Sequence, residues 1–312
     1  MLSRRNIRVK AMQAIYAHEQ DPEKTTDRLE KTMLENINGA YRALLYNLYL
    51  LSKTGEYVNA DAEIQAGKFI KTEDAPSVSL FHNPIIQHLV VNEALYNEIQ
   101  REKLDTRIDR DFFRQWFQLL KKTEEYGAYS QKENPLLSDD REMVTMLYKR
   151  ILMSSELFQQ HLEDVFPTWT DDNEVIFHAV MNYIQTVSPN QPAFLVRDSK
   201  DMKEVKQFAS DLLRKTLTHE NEIEEIITPF LQHWEKERVA MLDMVLMKMA
   251  VAELLFFSEI PVKVTINEYI ELAKNYSTPK SGEFINGILD AVRKKLTEDG
   301  RVKKSGRGAI ES

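Results

Sequence analysis

The sequence predicts an all-α protein, and its composition, apolar spacing and lack of strand patterns support this fold class. Only 9 glycines occur in 312 residues, and the 10 prolines fall where helices should begin or end. Apolar residues recur at steps of three and four, whereas no alternating pattern extends beyond a few residues. With 43% hydrophobic and 29% charged residues, the chain is expected to fold into a globular structure.

The opening segment is predicted to be an amphipathic helix. Ile7, Ala11 and Ile15 lie on one face at helical spacing. Arg4 and Arg8 lie one turn apart on another face. The helix therefore pairs a core-facing stripe with a basic surface.

Helical spacing continues along the chain. It recurs at Met33–Leu48 and at Met143–Leu157. Met241–Phe257 is apolar on nearly all sides, which predicts a buried central helix. Val262–Ile266 alternates briefly, but the residues that follow favour a helix that begins near Pro261.

Turn-forming residues predict the breaks between helices. The candidate linkers are Gly55–Asp61, Lys71–Asn83, Gly127–Ser138 and Ser188–Lys200. The end of the chain, Gly300–Ser312, is rich in glycine and lysine and is expected to be disordered.

Several classes of protein are excluded by what the sequence lacks. The chain has no cysteine, so disulfides and thiolate metal sites are excluded. It has no phosphate-cradling glycine loop, no nucleophile elbow and no metal-binding histidine spacing. No signal peptide or membrane span is apparent. We therefore expect no catalytic site, cofactor, metal or membrane partner, and a cytoplasmic location.

The formal net charge of −8 conceals a segregated distribution. The first 18 residues carry only positive charge, and the segment after Ala291 is also mainly basic. A local basic patch on an acidic body can bind phosphate while the body limits nonspecific association.

Two separated motifs carry a family resemblance. The opening motif comprises Arg4, Arg5, Arg8, Ala11, Gln13 and Tyr16. The closing motif comprises Pro261, Lys263, Asn267, Glu268, Ile270–Lys274, Phe284, Asn286, Gly287 and Leu289. In this order the two motifs resemble the NusB family of transcription antitermination factors.

The resemblance implies a NusB-like helical bundle core with an additional inserted helical region. Residues 1–20 would form the first helix of that core and residues 201–297 the remainder. Residues 21–200 would be the insertion, and residues 298–312 a disordered basic tail.

The resemblance also implies a function that consists of binding and involves no catalysis. NusB-like proteins bind the single-stranded boxA element of ribosomal RNA leaders, pair with the small-subunit ribosomal protein NusE and join the RNA polymerase antitermination complex. The implied RNA-binding residues are Arg4, Arg5, Arg8, Lys10, Gln13, Tyr16, Lys263, Asn267, Phe284 and Asn286. The implied partner-binding residues are Glu253, Lys280 and Phe284.

Helix physics bears on the basic start of the opening helix. Positive charge at a helix N-terminus opposes the macrodipole, so Arg4, Arg5 and Arg8 suit an external anion better than helix stability alone. A solvated basic terminus is the alternative. Gln13 and Tyr16 could read and stack on unpaired bases, or Tyr16 could pack against the core.

The start of the last helix leaves two interpretations open. Phe284 could belong to the core or contact a partner, and we favour the contact. Gly287 within a helix indicates close helix approach or a backbone contact with a partner. Ser281 is a candidate helix cap.

Some residues depart from the family pattern. Leu255–Phe257 are apolar where the family is commonly polar, so the insertion is expected to cover them. Lys280 stands where the family often has an acid. A protein–protein scaffold without RNA binding is one alternative function. An accessory domain of an RNA-modifying enzyme is a weaker one. NusB-like domains also occur fused to an rRNA cytosine methyltransferase, which would need an α/β cofactor-binding unit with a glycine-rich turn and a nucleophilic cysteine, whereas this chain has no cysteine and a helical middle.

Overall fold

A computed structural model describes residues 4–66, 80–188, 199–231 and 239–309. These residues form 14 α-helices, joined by short 3-10 turns and one π-helical segment, and they contain no strand. The all-α fold class is therefore confirmed. Most of the candidate linkers Lys71–Asn83 and Ser188–Lys200 lies outside the described residues.

The helices are numbered in chain order. The first nine are α1 (Arg4–Gln20), α2 (Thr26–Ala66), α3 (Pro84–Val90), α4 (Glu93–Arg101), α5 (Arg110–Leu120), α6 (Glu124–Ser130), α7 (Leu137–Met146), α8 (Glu156–Val165) and α9 (Trp169–Thr186). The last five are α10 (Ser199–Thr218), α11 (Glu220–Ile227), α12 (Met241–Phe256), α13 (Val262–Tyr276) and α14 (Ser281–Glu298).

The chain divides into two compact units. The terminal unit comprises Leu2–Ile37 and Ser199–Ser312, and the inserted unit comprises Asn38–Asp198. The first division thus falls within α2, after Ile37, whereas the sequence analysis placed it after residue 20.

The start of α2 belongs to the terminal unit because its side chains face that core. Leu29, Met33 and Ile37 are buried there with the apolar faces of the other helices. On the surface, Arg214 of α10 forms ion pairs with Asp27 and Glu30 of α2. An apolar stripe and an ion-pair cluster therefore hold this part of α2 to the terminal unit.

Helix α12 lies at the centre of the terminal unit. It is buried from Val245 to Leu254, including the charged Lys248 and Glu253, and it packs against α1, α10, α11, α13 and α14. A helix surrounded by other helices must be apolar on most sides, as the sequence of α12 predicted. Its buried charges require partners within the core.

Lys248 is one of these buried charges. Its ammonium lies 2.8 Å from Glu19, 2.5 Å from Glu220 and 2.7 Å from Glu224. Burial opposes its charge, but the hydrogen bonds that the ammonium donates to the three carboxylates outweigh that cost and raise the pKa of Lys248. The cluster connects α12 to α1 and α11.

The inserted unit has its own core, which is rich in aromatic side chains. Trp116, Trp169 and Phe158 are almost fully buried. The buried hydroxyl of Tyr148 donates to Asn47 Oδ1 at 3.0 Å, so this polar group is satisfied within the core. The inserted unit therefore contains a separate hydrophobic core.

The predicted linker at Gly55–Asp61 is wrong, because α2 continues through it to Ala66. Gly55 serves close packing instead of a turn. A Cβ at this position would lie 2.3 Å from Cγ2 of Ile86 in α3. Only glycine allows the two helices to approach this closely.

A buried carboxylate fixes the turn between α13 and α14. Ser277 and Ser281 donate their hydroxyls to Oδ1 and Oδ2 of Asp243, at 2.6 and 2.8 Å. The prediction that Ser281 caps α14 is wrong, because no side-chain cap forms and the Ser281 hydroxyl is used by Asp243. The turn is thereby anchored to the start of α12.

The described part of the tail, 299–309, does not match the expected disorder. Helix α14 ends in paired bonds, from Gly300 N to Thr297 O and from Arg301 N to Leu296 O, and Gly300 has φ +67°. This pattern is a Schellman motif, in which glycine supplies the left-handed residue.

The tail then packs along the end of α12. The Lys304 ammonium donates to the carbonyls of Glu253 and Phe257, and Ser305 N donates to Ser258 O at 3.0 Å. Both carbonyls also accept a backbone N–H, from Phe257 and Ile260 respectively, and the partial negative charge at the end of a helix favours a lysine as the second donor. Gly308 passes so close that a Cβ would lie 2.1 Å from Ser258 O. Gly300, Lys304 and Gly308 of the tail therefore each have a specific structural role.

Candidate nucleic-acid interface

Arg8 and Glu253 form a buried ion pair instead of a binding surface. Nε and Nη2 of Arg8 donate to Oε2 and Oε1 of Glu253 at 2.8 and 2.7 Å, and the side chains are 2% and 0% exposed. The assignments of Arg8 to RNA and of Glu253 to a protein partner are thus corrected. To bind RNA or a partner protein, each side chain would have to be exposed, whereas both are buried and their charges compensate each other.

Neighbouring groups complete this buried network. Thr265 and Tyr269 of α13 donate hydroxyls to Glu253 at 2.8 and 3.2 Å. Burial, reinforced by the negative charge of Glu253, raises the pKa of Tyr269 well above its ordinary value. Burial opposes the charge of Arg8, but hydrogen bonds to Glu253 outweigh it and raise the pKa of Arg8. The network joins α1, α12 and α13.

The other cations of α1 divide between core and surface. Lys10 is only 3% exposed, so its side chain is not on the surface that the sequence analysis assigned to RNA. Arg4 and Arg5 are exposed. The guanidinium of Arg4 lies over the Phe208 ring, 5.4 Å from its centroid.

Arg5 connects the start of α1 to the polar face of α13. Its Nε and Nη2 donate to Oε2 and Oε1 of Glu268 at 3.0 and 2.8 Å, and the pair is partly solvent-exposed. Asn267, next to Glu268, is exposed, and so is Lys263 one turn earlier. The two motifs of the sequence analysis therefore meet on one surface.

The same surface continues onto α14. Lys263 and Asn267 share a cavity with Asp290 and Arg293 of α14. Asn286 is exposed and lies one turn before Asp290 on that helix. We call the surface formed by Arg5, Lys263, Asn267, Asn286 and Arg293 the basic face.

Gln13 and Tyr16 lie further along α1. Tyr16 is 38% exposed, and its hydroxyl accepts a hydrogen bond from Gln20 at 3.3 Å, whereas Gln13 is half-buried. Tyr16 is 11 residues after Arg5, which at 3.6 residues per turn returns to nearly the same side of the helix, about 16 Å away. The ring is thus available on the surface and separated from the basic face by three turns.

The start of α14 combines buried and exposed positions. Phe284 is half-buried against the core, which lies between the two interpretations of the sequence. Lys280, just before α14, is exposed. Gly287 is exposed, and a Cβ there would meet nothing within 4 Å, so the close helix approach expected at Gly287 is wrong. The close approach lies at Gly282, where a Cβ would be 3.0 Å from Cγ of Lys274.

The apolar residues Leu255–Phe257 find partners within the terminal unit. The ring of Phe257 lies edge-on to Phe208, with centroids 5.5 Å apart. Phe256 lies 4.3 Å from the His219 ring, and the Lys215 ammonium lies near both phenylalanines. α10 and His219, which follows it, thus supply packing that was expected from the insertion.

The structure adds polar residues that the sequence analysis did not place in the site. Asp290 and Arg293 could have been found from their helical spacing after Asn286. Nothing in the sequence shows that Lys304 returns to the same cavity, because the chain first leaves α14 and then packs on α12.

The described residues offer neither a metal site nor a membrane span. Residues 4–66, 80–188, 199–231 and 239–309 contain no cluster of three or more histidine or carboxylate side chains that could hold a metal ion. Within these ranges, no helix combines the length and the apolar character needed to cross a membrane.

Comparison with known proteins identifies the family. Residues 170–294 match the model of the NusB family. The match begins within α9 and ends within α14, so it includes the closing motif and α10 to α13. It does not include α1, whose correspondence with the family rests on the opening motif and on its packing in the same core.

Curated relatives support the same assignment. The transcription antitermination protein NusB of Salinibacter ruber is 48% identical over 105 residues, which are 34% of this chain and 66% of that protein. NusB of Chloroherpeton thalassium is 39% identical over 38% of this chain and 55% of that protein. NusB of Oleidesulfovibrio alaskensis is 45% identical over 28% of this chain and 58% of that protein. The chain thus spans a little over half to two thirds of these relatives.

A solved structure titled T. maritima NusB is 29% identical and covers 43% of this chain and 84% of that one, with a TM-score of 0.29. The curated relatives are named for transcription antitermination. On the evidence of the family match and these sequence relatives, the chain is a member of the NusB family.

Proposed function

We propose that this protein is a transcription antitermination factor that binds single-stranded, boxA-like leader RNA together with the ribosomal protein NusE. The observation that carries the proposal is the bond between Arg5 and Glu268, because it joins the basic start of α1 to the polar face of α13. The named role of the curated relatives supports the same function. Such a role places the protein in the cytoplasm, within the RNA polymerase antitermination complex.

The chemistry of the basic face suits RNA. Arg5 and Lys263 are exposed cations. Nε and Nη2 of Arg5 are held by Glu268, so the forked hydrogen bonds that arginine makes to phosphate would require exchange of this carboxylate for the RNA backbone. Asn267 and Asn286 supply exposed amides, which can read the edges of unpaired bases. The overall negative charge of the chain limits nonspecific binding elsewhere.

A salt titration of RNA binding tests the proposal. Fluorescence anisotropy with a labelled boxA-like RNA is measured for the wild type, for Arg5→Gln and for Lys263→Gln. Each substitution should weaken binding and reduce the slope of log K against log salt by about 0.7 for each phosphate that the protein no longer neutralises. The matched control is Lys122→Gln, an exposed lysine just after α5 in the inserted unit, which should leave the slope unchanged.

The NusE arm is measured separately. RNA affinity should rise when NusE is added, because the two proteins would share one RNA. Absence of wild-type RNA binding, with retained NusE binding, would contradict this function and favour the protein–protein scaffold. If Arg5→Gln and Lys263→Gln bind as the wild type does, the RNA lies on a different surface.

A further inference from the structure

A cavity opens beside the basic face, within the terminal unit. It has a volume of about 730 Å³ and lies between the start of α13, the second half of α14 and the tail. Pockets that hold small ligands typically measure roughly 300–1,000 Å³. The cavity is therefore large enough for a ligand with both a ring system and a charged group.

The lining separates into an apolar wall and polar groups. Val262, Ile266 and Val302 supply the apolar side chains. The polar groups include the exposed Lys263 and Asn267. An inorganic anion would leave the apolar wall unused, whereas an apolar ligand would leave the lysine and the amide unused.

The remaining charges of the cavity are held by protein partners. Nε and Nη2 of Arg293 donate to Oδ1 of Asp290 at 3.3 and 2.8 Å. The Lys304 ammonium donates to carbonyls at the end of α12, and burial lowers the pKa of Lys304. Lys263 is thus the cation best placed for a ligand phosphate, and the cavity retains a positive balance of three cations against one carboxylate.

The tail forms one wall of the cavity. Val302 and Lys304 line it, and both follow the last residue of the family match at 294. Three features fix this wall: the Schellman motif at the end of α14, the hydrogen bonds from Lys304 to carbonyls at the end of α12, and the hydrogen bond from Ser305 N to Ser258 O. A wall held in this way can define the shape of a ligand.

We infer that this cavity takes one unstacked nucleotide of a single-stranded RNA. The base lies against Val262, Ile266 and Val302, the Asn267 amide bonds to the base edge, and Lys263 binds the phosphate. This inference rests on the proposed RNA-binding function, and it adds a specific site and a role for the tail.

Filling the cavity provides the test. Thr297 lines the cavity and is exposed, so Thr297→Trp should occupy the space without disturbing the core. Glu298→Trp is the matched control, because it places the same ring on the next, exposed residue that does not line the cavity. RNA affinity of the full chain is measured by anisotropy, and folding by urea denaturation.

Thr297→Trp should weaken RNA binding by roughly tenfold, because the base loses its contact with the apolar wall, and Glu298→Trp should bind as tightly as the wild type. Asn267→Ala should reduce the difference in affinity between RNAs that carry single base substitutions. Equal RNA affinity of Thr297→Trp, Glu298→Trp and the wild type would overturn the cavity assignment while leaving the RNA-binding function intact.

Two outcomes separate the remaining possibilities. If the wild type fails to bind RNA, the proposed function and the cavity assignment both fall. Nucleoside monophosphates are titrated in parallel by calorimetry. If they bind the wild type and not Thr297→Trp, while RNA affinity is unaffected, the occupant is a free nucleotide and the RNA assignment is overturned.

Discussion

The guanidinium of Arg8 and the carboxylate of Glu253 meet through two hydrogen bonds inside the core of the terminal unit, where neither side chain is more than 2% exposed. An arginine of a basic motif thus contributes to folding, while its neighbour Arg5 remains at the surface. The same short motif therefore contains residues with two different roles.

Removing one partner of this pair should be costly. Arg8→Met leaves the Glu253 charge buried without its main partner, and we expect a loss of about 3–5 kcal/mol in the free energy of unfolding. The double variant Arg8→Met with Glu253→Gln should lose less, because no charge is left buried. Urea denaturation of both variants measures the difference, and a cost below about 1 kcal/mol for the single variant would contradict the buried pair.

The link between α2 and α10 should depend on pH. The hydrogen bond from Arg214 lowers the pKa of Glu30 below its ordinary value. The stabilisation is therefore present above the ordinary pKa of a glutamate and is lost as the pH falls through the lowered value. Glu30→Gln should lower the free energy of unfolding by up to about 1 kcal/mol at pH 7. The difference in the free energy of unfolding between this variant and the wild type should shrink below about pH 4.

Urea denaturation of Glu30→Gln and the wild type across this pH range shows whether the stability difference falls on acidification, as expected. Glu35→Gln, at a nearby exposed position of α2, is the control and should show a smaller pH-dependent difference. A difference for Glu30→Gln that grows on acidification would be incompatible with the ion pair.

The turn before α14 should loosen when Asp243 is replaced. Asp243→Ala removes the acceptor of both the Ser277 and Ser281 hydroxyls, and a buried unsatisfied hydroxyl costs about 1–3 kcal/mol. Hydrogen exchange should accelerate at the backbone amides of Ser277 and Ser281, whose acceptors are Ala273 O and Thr278 O. Unchanged exchange there would mean that the backbone alone fixes the turn.

The packed tail should be released by a single methyl group. In Gly308→Ala the added Cβ would lie 2.1 Å from Ser258 O, so the tail must shift. We expect faster hydrogen exchange at Ser305 N and earlier proteolytic cleavage between Val302 and Ser305. Gly127→Ala is the control, because a Cβ there meets nothing within 4 Å. Equal protection in both variants would contradict the observed path of the tail.

The fold class was predictable from the sequence because helical periodicity and the positions of helix-breaking residues are local properties. The buried nature of α12 was also predictable, since its residues are apolar on nearly all sides. The exposure of Lys263 and Asn267 agrees with their placement on a candidate surface. Their use in RNA binding stays a prediction.

The errors concern features that depend on distant residues. Arg8 has the same charge as Arg5, and only Glu253, 245 positions away, distinguishes them. Glycines at Gly55 and Gly308 suggested a linker and a disordered tail, but each is required by a neighbouring helix or carbonyl. Local composition cannot reveal such neighbours. The tail residues Val302 and Lys304, which complete the cavity, were missed for the same reason.

Gly287 provides the sharpest test of the surface of α14. It lies within the helix, is exposed and has open space around its Cα, so Gly287→Ala should raise the free energy of unfolding by up to about 1 kcal/mol. If the bare backbone contacts RNA or NusE, the added methyl group should weaken that binding at the same time. We expect higher stability together with lower affinity, measured by urea denaturation and anisotropy on the same preparation. Glu283→Ala, an exposed change in the first turn of α14, controls for altered surface charge and helix propensity. Higher stability with unchanged affinity for RNA and NusE would show that Gly287 is not part of the interface. The destabilising effect of glycine at this helix position would then have no explanation in binding.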